Sequence, residues 1–327
     1  MRDIGLLNIQ SFNDYGNPII YGDYIVDDSL PTILFYGHYD VQPVDPLNLW
    51  ETPPFEPAIR DGYIFARGAS DNKGMFFAHL KAVESYLKSS GSLPVNVKFI
   101  IEGEEEIGSD CMFPFLDDHK ELLSNDAIAV SDNPMFSENQ PSVCINLRGL
   151  IYLEVTIKSM NYDVHSGQLG GSVPNIIHYV STLIADMKDP YTNKVTIPGF
   201  YDDVIEFASF DASLPVAKDQ LDYLNAHYNL GDHANSTFFD NIWFQPTLDC
   251  NGIISGFTDE GAKTVVPNSL TLKLSCRLVP NQDPRKMIDL VSNFIRSKLP
   301  DSFDVSINDF NTLASPLLTD INSSFIQ

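Results

Sequence analysis

The sequence is poor in basic residues for its length. Lysine and arginine total 20 against 44 aspartates and glutamates, which gives a formal net charge of −24. Because binding to a nucleic-acid backbone requires a basic surface, the composition excludes nucleic acid as an expected partner. The excess of carboxylates instead supplies possible ligands for hard or borderline divalent cations.

Cysteine is scarce, and no long apolar segment is present. The four cysteines form no C-x-x-C pair, so we expect free, mostly buried thiols rather than a zinc or redox site at Cys111, Cys144, Cys250 and Cys276. No apolar run approaches the about 18 residues of a membrane span, and "MRDIGLLNIQ" lacks the basic start and apolar core of a signal peptide. These absences predict a cytoplasmic protein without a membrane partner.

The first part of the chain alternates short apolar runs with a helical pattern. A chain of 327 residues is long for a single core, so we expect two domains or one domain with a large insertion. The runs are "TILFY" (32–36), a helix from about Gly74 to Leu87, "VNVKFII" (95–101) and "AIAV" (127–130). This alternation predicts an α/β sheet with helices on its faces.

From about Arg148 the pattern changes to strand, helix, strand, strand, helix, strand, an order that resembles a ferredoxin-like α+β domain. "GLIYLEVTIKS" and "NSLTLKLSCRLVP" alternate as strands, and "PNIIHYVSTLIADM" predicts a helix with Pro174 in its first turn. Asp283 is expected to cap a helix before the strand "DVSIND". Residues 190–245 are turn-rich and aromatic, and they predict an irregular insertion.

Side chains typical of metal sites follow several of the predicted strands. Each has an ordinary alternative when taken alone, namely a surface turn, a helix cap or a solvated acidic turn. In an open α/β sheet, however, ligands bind beyond the carboxyl ends of the strands, where these side chains would meet. Imidazole and carboxylate together are a zinc ligand set. The residues are His38 and Asp40, Asp71, the glutamates 102 and 104–106, and Asp132.

Seven motifs carry a family resemblance that runs from about Thr32 to the chain end. They are "YGHYDVQPV", "FARGASDNKG", "EGEEEIGS", "VSDN", "DVHSGQLGG", "AKTVVPN" and "CRLVPN". The chain resembles the carnosinase-like dipeptidases of metallopeptidase family twenty, whose relatives include acetylornithine deacetylase, aminoacylase and carboxypeptidase G. The resemblance implies a zinc-exopeptidase-like, three-layer α/β/α catalytic domain with an inserted ferredoxin-like lid or dimerisation domain. The implied domains are 1–147 (catalytic, incomplete), 148–311 (lid) and 312–327 (start of the return to the catalytic domain).

The resemblance also implies a site with two divalent ions, zinc or alternatively manganese or cobalt. His38 and Asp132 would bind one ion, Asp71 would bridge both, and Glu106 would bind the second. Glu105 would be the general base that activates a metal-bound water. Asp40 would fix the imidazole of His38. The family further implies a cis peptide bond between Asp71 and Asn72.

Three further residues receive roles only through the resemblance. His165 would stabilise the oxyanion at the site of the partner in a homodimer formed through the lid, with the help of Thr264. Arg277 would bind the terminal carboxylate of the substrate. Without the resemblance, we would interpret His165 as a loop histidine, Thr264 as a strand-end threonine and Arg277 as an exposed strand arginine, none with a function.

The sequence departs from the family pattern at its end. Family members carry a last histidine that completes the second metal site, whereas all seven histidines here lie at or before His233. We interpret His79, His119, His178, His227 and His233 as nonfunctional, and we expect a chain that is truncated at both ends. The main expectation is a hydrolase of dipeptide amide bonds. The alternatives are a noncatalytic relic that binds at most one metal and dimerises, and an N-acyl amino acid deacetylase of the same superfamily.

Overall fold

The computed structural model describes residues 1–137, 140–206, 213–310 and 313–326. Strands and helices combine in a mixed α/β fold that divides into two compact units, Met1–Pro134 and Met135–Gln327. Each unit has its own main sheet; the first unit contains two buried hydrophobic clusters and the second contains one. Within the described ranges, no helix is both long enough and apolar enough to cross a bilayer.

The first unit is built on a five-stranded sheet with a small separate hairpin. Its strands are β1 (Leu7–Phe12), β2 (Ile19–Tyr24), β3 (Thr32–His38), β4 (Ala58–Arg60), β5 (Tyr63–Phe65), β6 (Asn96–Glu102) and β7 (Ala127–Val130), and its helices are α1 (Lys73–Ser90) and α2 (Met112–Asp118). The sheet order is β1-β2-β6-β3-β7, while β4 pairs with β5. Strand β3 runs parallel to both β6 and β7, so the carboxyl ends of these three strands lie at one edge of the sheet.

Sequence periodicity explains the central elements of this unit. Strand β6 is buried at nearly every position, as a central strand with covered faces requires. Helix α1 buries Leu80 and Val83 and packs Phe76 and Leu87 against the same core. It ends at Ser90 and is capped by Gly91, whose φ of 72° is favourable for glycine. The buried strand β6 and the apolar face of α1 thus share one core.

The second unit pairs a mainly antiparallel sheet with helices. Its strands are β8 (Asn146–Leu147), β9 (Gly149–Lys158), β10 (Val164–His165), β11 (Thr247–Ser255), β12 (Val265–Val266), β13 (Ser269–Leu278), β14 (Asp304–Asn308), β15 (Leu313–Ala314) and β16 (Leu317–Leu318). Its helices are α3 (Ser166–Leu169), α4 (Ile176–Met187), α5 (Pro215–Tyr228), α6 (Phe238–Trp243) and α7 (Pro284–Lys298). The main sheet has the order β11-β13-β9-β14.

One face of this main sheet is buried and the other is more exposed. Along β13 the even-numbered residues are buried and the odd-numbered ones are not, and β9 alternates in the same way. The buried side chains form one core with α4 and α7, which contribute Val180, Leu183, Val291 and Ile295. Strands of period two and helices of period 3.6 therefore contribute their apolar faces to the same layer.

Several sequence expectations for the second unit are confirmed and others are wrong. Asp283 caps α7, accepting a hydrogen bond from the Lys286 backbone N–H at 2.8 Å. Pro174 does not lie in the first turn of α4, because the cap is Asn175, whose side chain accepts from the Ile177 N–H at 3.1 Å. Residues 190–245 are not simply irregular, since they contain α5 and α6.

The expectation for the cysteines is confirmed only in part. All four cysteines are free, but only Cys111 and Cys276 are buried, so the expectation of mostly buried thiols was wrong for Cys144 and Cys250. Burial raises the pKa of the Cys111 thiol to about 12. The predicted limit at residues 311 and 312 lies outside the described residues, and the catalytic and lid assignments stay predictions.

Candidate metal centre

The loops at the carboxyl ends of β3, β6 and β7 bring an imidazole and several carboxylates together in the first unit. His38 is the last residue of β3 and is fully buried. Its Nε2 atom lies 3.0 Å from Asp71 Oδ1, 3.6 Å from Asp132 Oδ1 and 3.9 Å from Glu105 Oε2. Residues from four separate segments of the chain therefore meet around one ring nitrogen.

Asp40 contacts the other side of the same imidazole. Its Oδ1 lies 3.2 Å from His38 Nδ1, and its Oδ2 accepts a hydrogen bond from the Glu106 backbone N–H at 2.9 Å. If Nδ1 carries the proton, it donates to Asp40 and leaves the Nε2 lone pair facing the remaining carboxylates. This is the arrangement that orients a metal-binding histidine.

The compact donor group within the described residues consists of His38, Glu105 and Asp132, whose ligand atoms all lie within 4.8 Å of one another. Asp71 contacts His38 but is more exposed, and it is not part of that group. Glu106 is oriented differently, since its Oε2 accepts a hydrogen bond from the Gln42 side-chain amide at 2.5 Å. The predicted base thus lies in the compact group, and the predicted second-ion ligand lies beside it.

The glutamates of "EGEEE" have different environments. Glu102 is buried, and its Oε1 accepts hydrogen bonds from Tyr36 at 2.7 Å and from Ser109 at 2.8 Å. Glu104 Oε1 accepts from the Asn17 backbone N–H at 2.7 Å. A 3-10 turn over Glu105–Ile107 then directs Glu105 toward His38. Hydrogen bonds therefore hold the carboxylates of Glu102 and Glu104 in the loop, so only two of the four glutamates remain for the site.

The electrostatics of the group favour a bound cation. Burial lowers the pKa of His38, but Asp132, Glu105, Asp40 and Asp71 outweigh burial and raise it. Burial raises the pKa of Glu105; His38 opposes this effect, while Asp132, Glu106 and Asp40 add to it. A cation relieves the repulsion among these carboxylates. Nitrogen and oxygen donors in this number suit zinc or manganese, so the residues present fit a divalent metal ion.

Asn72 is a supporting residue that the sequence analysis did not single out. The peptide bond from Asp71 to Asn72 is cis, as predicted. The buried Asn72 amide donates hydrogen bonds to the Ser131 carbonyl at 2.6 Å and to Asp132 Oδ1 at 2.7 Å. The sequence signal that could have identified Asn72 is its position in the "SDNKG" motif, next to the expected bridging aspartate. Asn72 thus positions the carboxylate of Asp132, a candidate metal ligand, through a hydrogen bond.

In the second unit the structure brings together two of the three predicted substrate-binding residues. Thr264 Oγ1 lies 2.9 Å from His165 Nε2, and His165 Nδ1 accepts the Gly167 N–H at 2.9 Å. With Nδ1 occupied as an acceptor, the neutral ring carries its proton on Nε2. Arg277 is exposed near the end of β13, and among the described residues no hydrogen bond joins it to His165 or Thr264.

The chain is similar in sequence to known peptidases. The model of "Peptidase family M20/M25/M40" matches residues 34–324. The human "Beta-Ala-His dipeptidase" is 33% identical over 281 residues, which cover 81% of this chain and 54% of that protein. The "Cys-Gly metallodipeptidase dug1" of Schizosaccharomyces pombe is 30% identical over 323 residues, covering 96% of this chain and 66% of that protein.

A solved structure agrees with the sequence comparisons. The "M20 family metallo-carboxypeptidase Sso-CP2" from Sulfolobus solfataricus matches with a TM-score of 0.80 and 30% identity, covering 97% of this chain and 72% of that one. The chain spans about half the length of the human relative it matches.

Proposed function

The chain belongs to peptidase family M20/M25/M40, and from that membership we propose that it is a metal-dependent hydrolase of the amide bond in dipeptides and similar small substrates. The observation that carries the proposal is the convergence of His38, Glu105 and Asp132 at one edge of the sheet, with Asp71 in contact with the same imidazole. The names of the similar dipeptidases favour this substrate class over N-acyl amino acids.

We assign the metal-binding roles to side chains of the first unit. His38 and Asp132 would hold one ion, Asp71 would bridge to a second, and Glu106 would hold that second ion through the oxygen not bonded to Gln42. Divalent ions, zinc in the first instance, would polarise the substrate carbonyl and make a water molecule more acidic. Asp40 would keep His38 in the required tautomer through Nδ1.

Glu105 is the proposed general base. Its carboxylate lies 3.9 Å from His38 Nε2, and burial together with the neighbouring negative charges raises its pKa. A carboxylate with a raised pKa accepts a proton more readily at neutral pH than an ordinary glutamate does. It would take a proton from the attacking water and deliver that proton to the leaving amine.

The second unit is the proposed lid, with ferredoxin-like strand order, and would form a homodimer. His165 would donate from Nε2 to the oxyanion, with Thr264 beside it and Arg277 binding the substrate carboxylate. Size-exclusion chromatography with light scattering tests the dimer directly. A strictly monomeric protein at high concentration would contradict that part of the proposal.

The activity test combines hydrolysis with metal content. The chain is loaded with Zn²⁺ or Mn²⁺, assayed against dipeptides beside N-acetyl amino acids, and analysed for metal per chain. Dipeptide hydrolysis with two ions per chain is the expected result. One ion or none without hydrolysis would favour the noncatalytic alternative, and hydrolysis of N-acetyl amino acids alone would favour a deacetylase.

A matched pair of variants tests the base. Glu105→Gln should abolish turnover while metal stays bound, because the amide cannot accept the proton. Glu121→Gln removes the same charge from an exposed position of the same unit and should leave turnover unchanged. Full activity of Glu105→Gln would remove Glu105 as the base.

A further inference from the structure

A buried carboxylate lies at the base of the loop that carries the proposed general base. We call residues 103–109, which follow β6 and lead toward α2, the metal loop. Glu102 is the last residue of β6 and is only 1% exposed. It is not a member of the compact donor group at the strand ends. Because a buried carboxylate costs free energy unless it is hydrogen-bonded, its partners show what it does there.

Ser109 closes the metal loop by binding Glu102. Its hydroxyl donates to Glu102 Oε1 at 2.8 Å, across seven positions of the sequence. The Ser109 backbone N–H donates to the Glu104 carbonyl at 2.8 Å, and the Ser109 carbonyl accepts the N–H of Met112, the first residue of α2, at 2.9 Å. Ser109 is therefore bonded to the strand before the loop, to the loop itself and to the helix after it.

The backbone of Ser109 is left-handed, with a φ of 54°. This conformation is uncommon for a residue with a side chain, because the Cβ atom crowds the backbone. Glycine would adopt the same φ with less strain. The hydrogen bond to Glu102 is a contact that glycine could not make, and it offsets the strain of a serine at this position.

Tyr36 fixes the orientation of the Glu102 carboxylate. Its hydroxyl donates to the same Oε1 atom at 2.7 Å, and Tyr36 lies on β3, two residues before His38. A third neutral group, the Sγ atom of Cys111, lies 3.9 Å from Glu102 Oε2. One carboxylate oxygen therefore connects the strand that carries His38 to the far end of the metal loop.

The two glutamates that the proposed function uses lie between the ends of this closed loop. Glu105 Oε2 lies 3.9 Å from His38 Nε2, and the Glu106 backbone N–H donates to Asp40 Oδ2 at 2.9 Å. If the loop opened at Ser109, both glutamates would be free to shift relative to His38. Catalytic geometry tolerates little displacement, so such a shift would be costly for turnover.

We propose that Glu102 and Ser109 are positioning residues, whose hydrogen bond closes the metal loop and fixes Glu105 and Glu106 relative to His38. The effect on catalysis rests on the proposed function, whereas closure of the loop does not. Neither residue would touch the substrate. The pair would therefore govern kcat and the affinity for the second ion, and it would leave KM for the dipeptide unchanged.

Hydrogen exchange of the metal-free protein tests the closure directly. In Ser109→Ala the amides of residues 107–109 should exchange about two- to tenfold faster, the effect of losing one neutral hydrogen bond, while those of β6 keep the parent rate. Tyr36→Phe is the matched control, because it removes a bond of the same kind from the same oxygen but leaves the Ser109 bond in place. It should lower the urea midpoint about as much as Ser109→Ala and leave the loop amides at the parent rate.

Kinetics and metal titration test the consequence for the site. With metal bound, Ser109→Ala should lower kcat by about 10- to 100-fold without changing KM, because the groups it displaces act on the water and the second ion. Calorimetric titration in a competing chelator should show weaker binding of the second ion and unchanged binding of the first. Ser89→Ala, at an exposed serine of the same unit, should alter none of these values.

Three outcomes would overturn the proposal. One is loop exchange at the parent rate in Ser109→Ala, and another is equal acceleration in Tyr36→Phe, which would indicate a general loosening around Glu102. The third is faster loop exchange with kcat and second-ion affinity both at parent values. If Ser109→Ala does not fold, Ser109→Gly takes its place, because glycine adopts a φ of 54° without strain and also lacks the hydroxyl.

A failure of the proposed function is recognised separately. If the parent protein hydrolyses no dipeptide, the proposed function fails, but hydrogen exchange of the metal-free variants still decides whether the Ser109 bond closes the loop. Faster exchange of the loop amides in Ser109→Ala but not in Tyr36→Phe supports the closure. The same exchange in the parent and in both variants overturns it.

Discussion

Replacing Asn72 by alanine should destabilise the metal-free protein and weaken metal binding. Asn72 is almost fully buried and donates one hydrogen bond to the Ser131 carbonyl and one to the charged Asp132, while its Oδ1 lies 3.4 Å from the His38 backbone nitrogen. A neutral bond contributes about 1 kcal/mol and a bond to a charged group about 1.5 to 3 kcal/mol. Neglecting the long His38 contact, the loss is about 2.5 to 4 kcal/mol.

Metal binding should suffer because Asn72 holds the Asp132 carboxylate in place. Loss of such a partner behind a metal ligand typically costs about 10- to 100-fold in affinity. Urea unfolding of the metal-free protein gives the stability difference, and calorimetric titration with Zn²⁺ in a competing chelator gives the affinity. Asn13→Ala, an exposed asparagine of the same unit, is the matched control and should change neither value.

One result would refute the role of Asn72. An Asn72→Ala protein that is as stable as the parent and binds Zn²⁺ with the same affinity would show that Asn72 does not position Asp132. Asn72→Asp is a second test. It keeps the side-chain volume, but its ionised carboxylate cannot donate the hydrogen bonds to Ser131 and Asp132. It should therefore also weaken Zn²⁺ binding.

Three further predictions follow from single contacts. Asp40→Ala should weaken Zn²⁺ binding by about 10- to 100-fold, because His38 Nδ1 loses its partner; unchanged affinity in a chelator competition would contradict this. A thiol reagent should label two cysteines in the folded protein and four after denaturation, and mass mapping should find Cys111 and Cys276 only in the denatured sample. Burial lowers the pKa of His79, so its contribution to folding stability is complete above about pH 6.5 and decreases as the pH falls, since unfolding then takes up a proton. Urea unfolding of His79→Gln from pH 5 to pH 8 should show a smaller acid loss than the parent, and an identical pH dependence would refute it.

Three of the five strands in the sheet of the first unit were predictable because they are short apolar runs of high contrast, whereas β1 and β2 were not predicted. "TILFY", "VNVKFII" and "AIAV" correspond to β3, β6 and β7 within one or two residues. The cap of α7 was equally readable, since Asp283 and Pro284 occupy the positions that helix starts favour. Such local signals need no knowledge of the tertiary structure.

Other features depend on contacts that periodicity does not encode. Helix α5 buries only Ala217, so its sequence carries little amphipathic signal and predicts no helix. Pro174 was compatible with a first helical turn, but the side chain of Asn175 competes successfully as the cap. The amide of Gln42 on Glu106 and that of Asn72 on Asp132 join residues 64 and 60 positions apart, which a single sequence does not reveal.

The most direct test of the account is an anomalous diffraction map at the zinc edge from crystals grown with Zn²⁺. We predict a strong peak within bonding distance of His38 Nε2 and an Asp132 oxygen, with a second peak next to Asp71 and Glu106. A map without a peak at His38, or with zinc bound only at other residues, would contradict the claim that these strand ends form a metal centre.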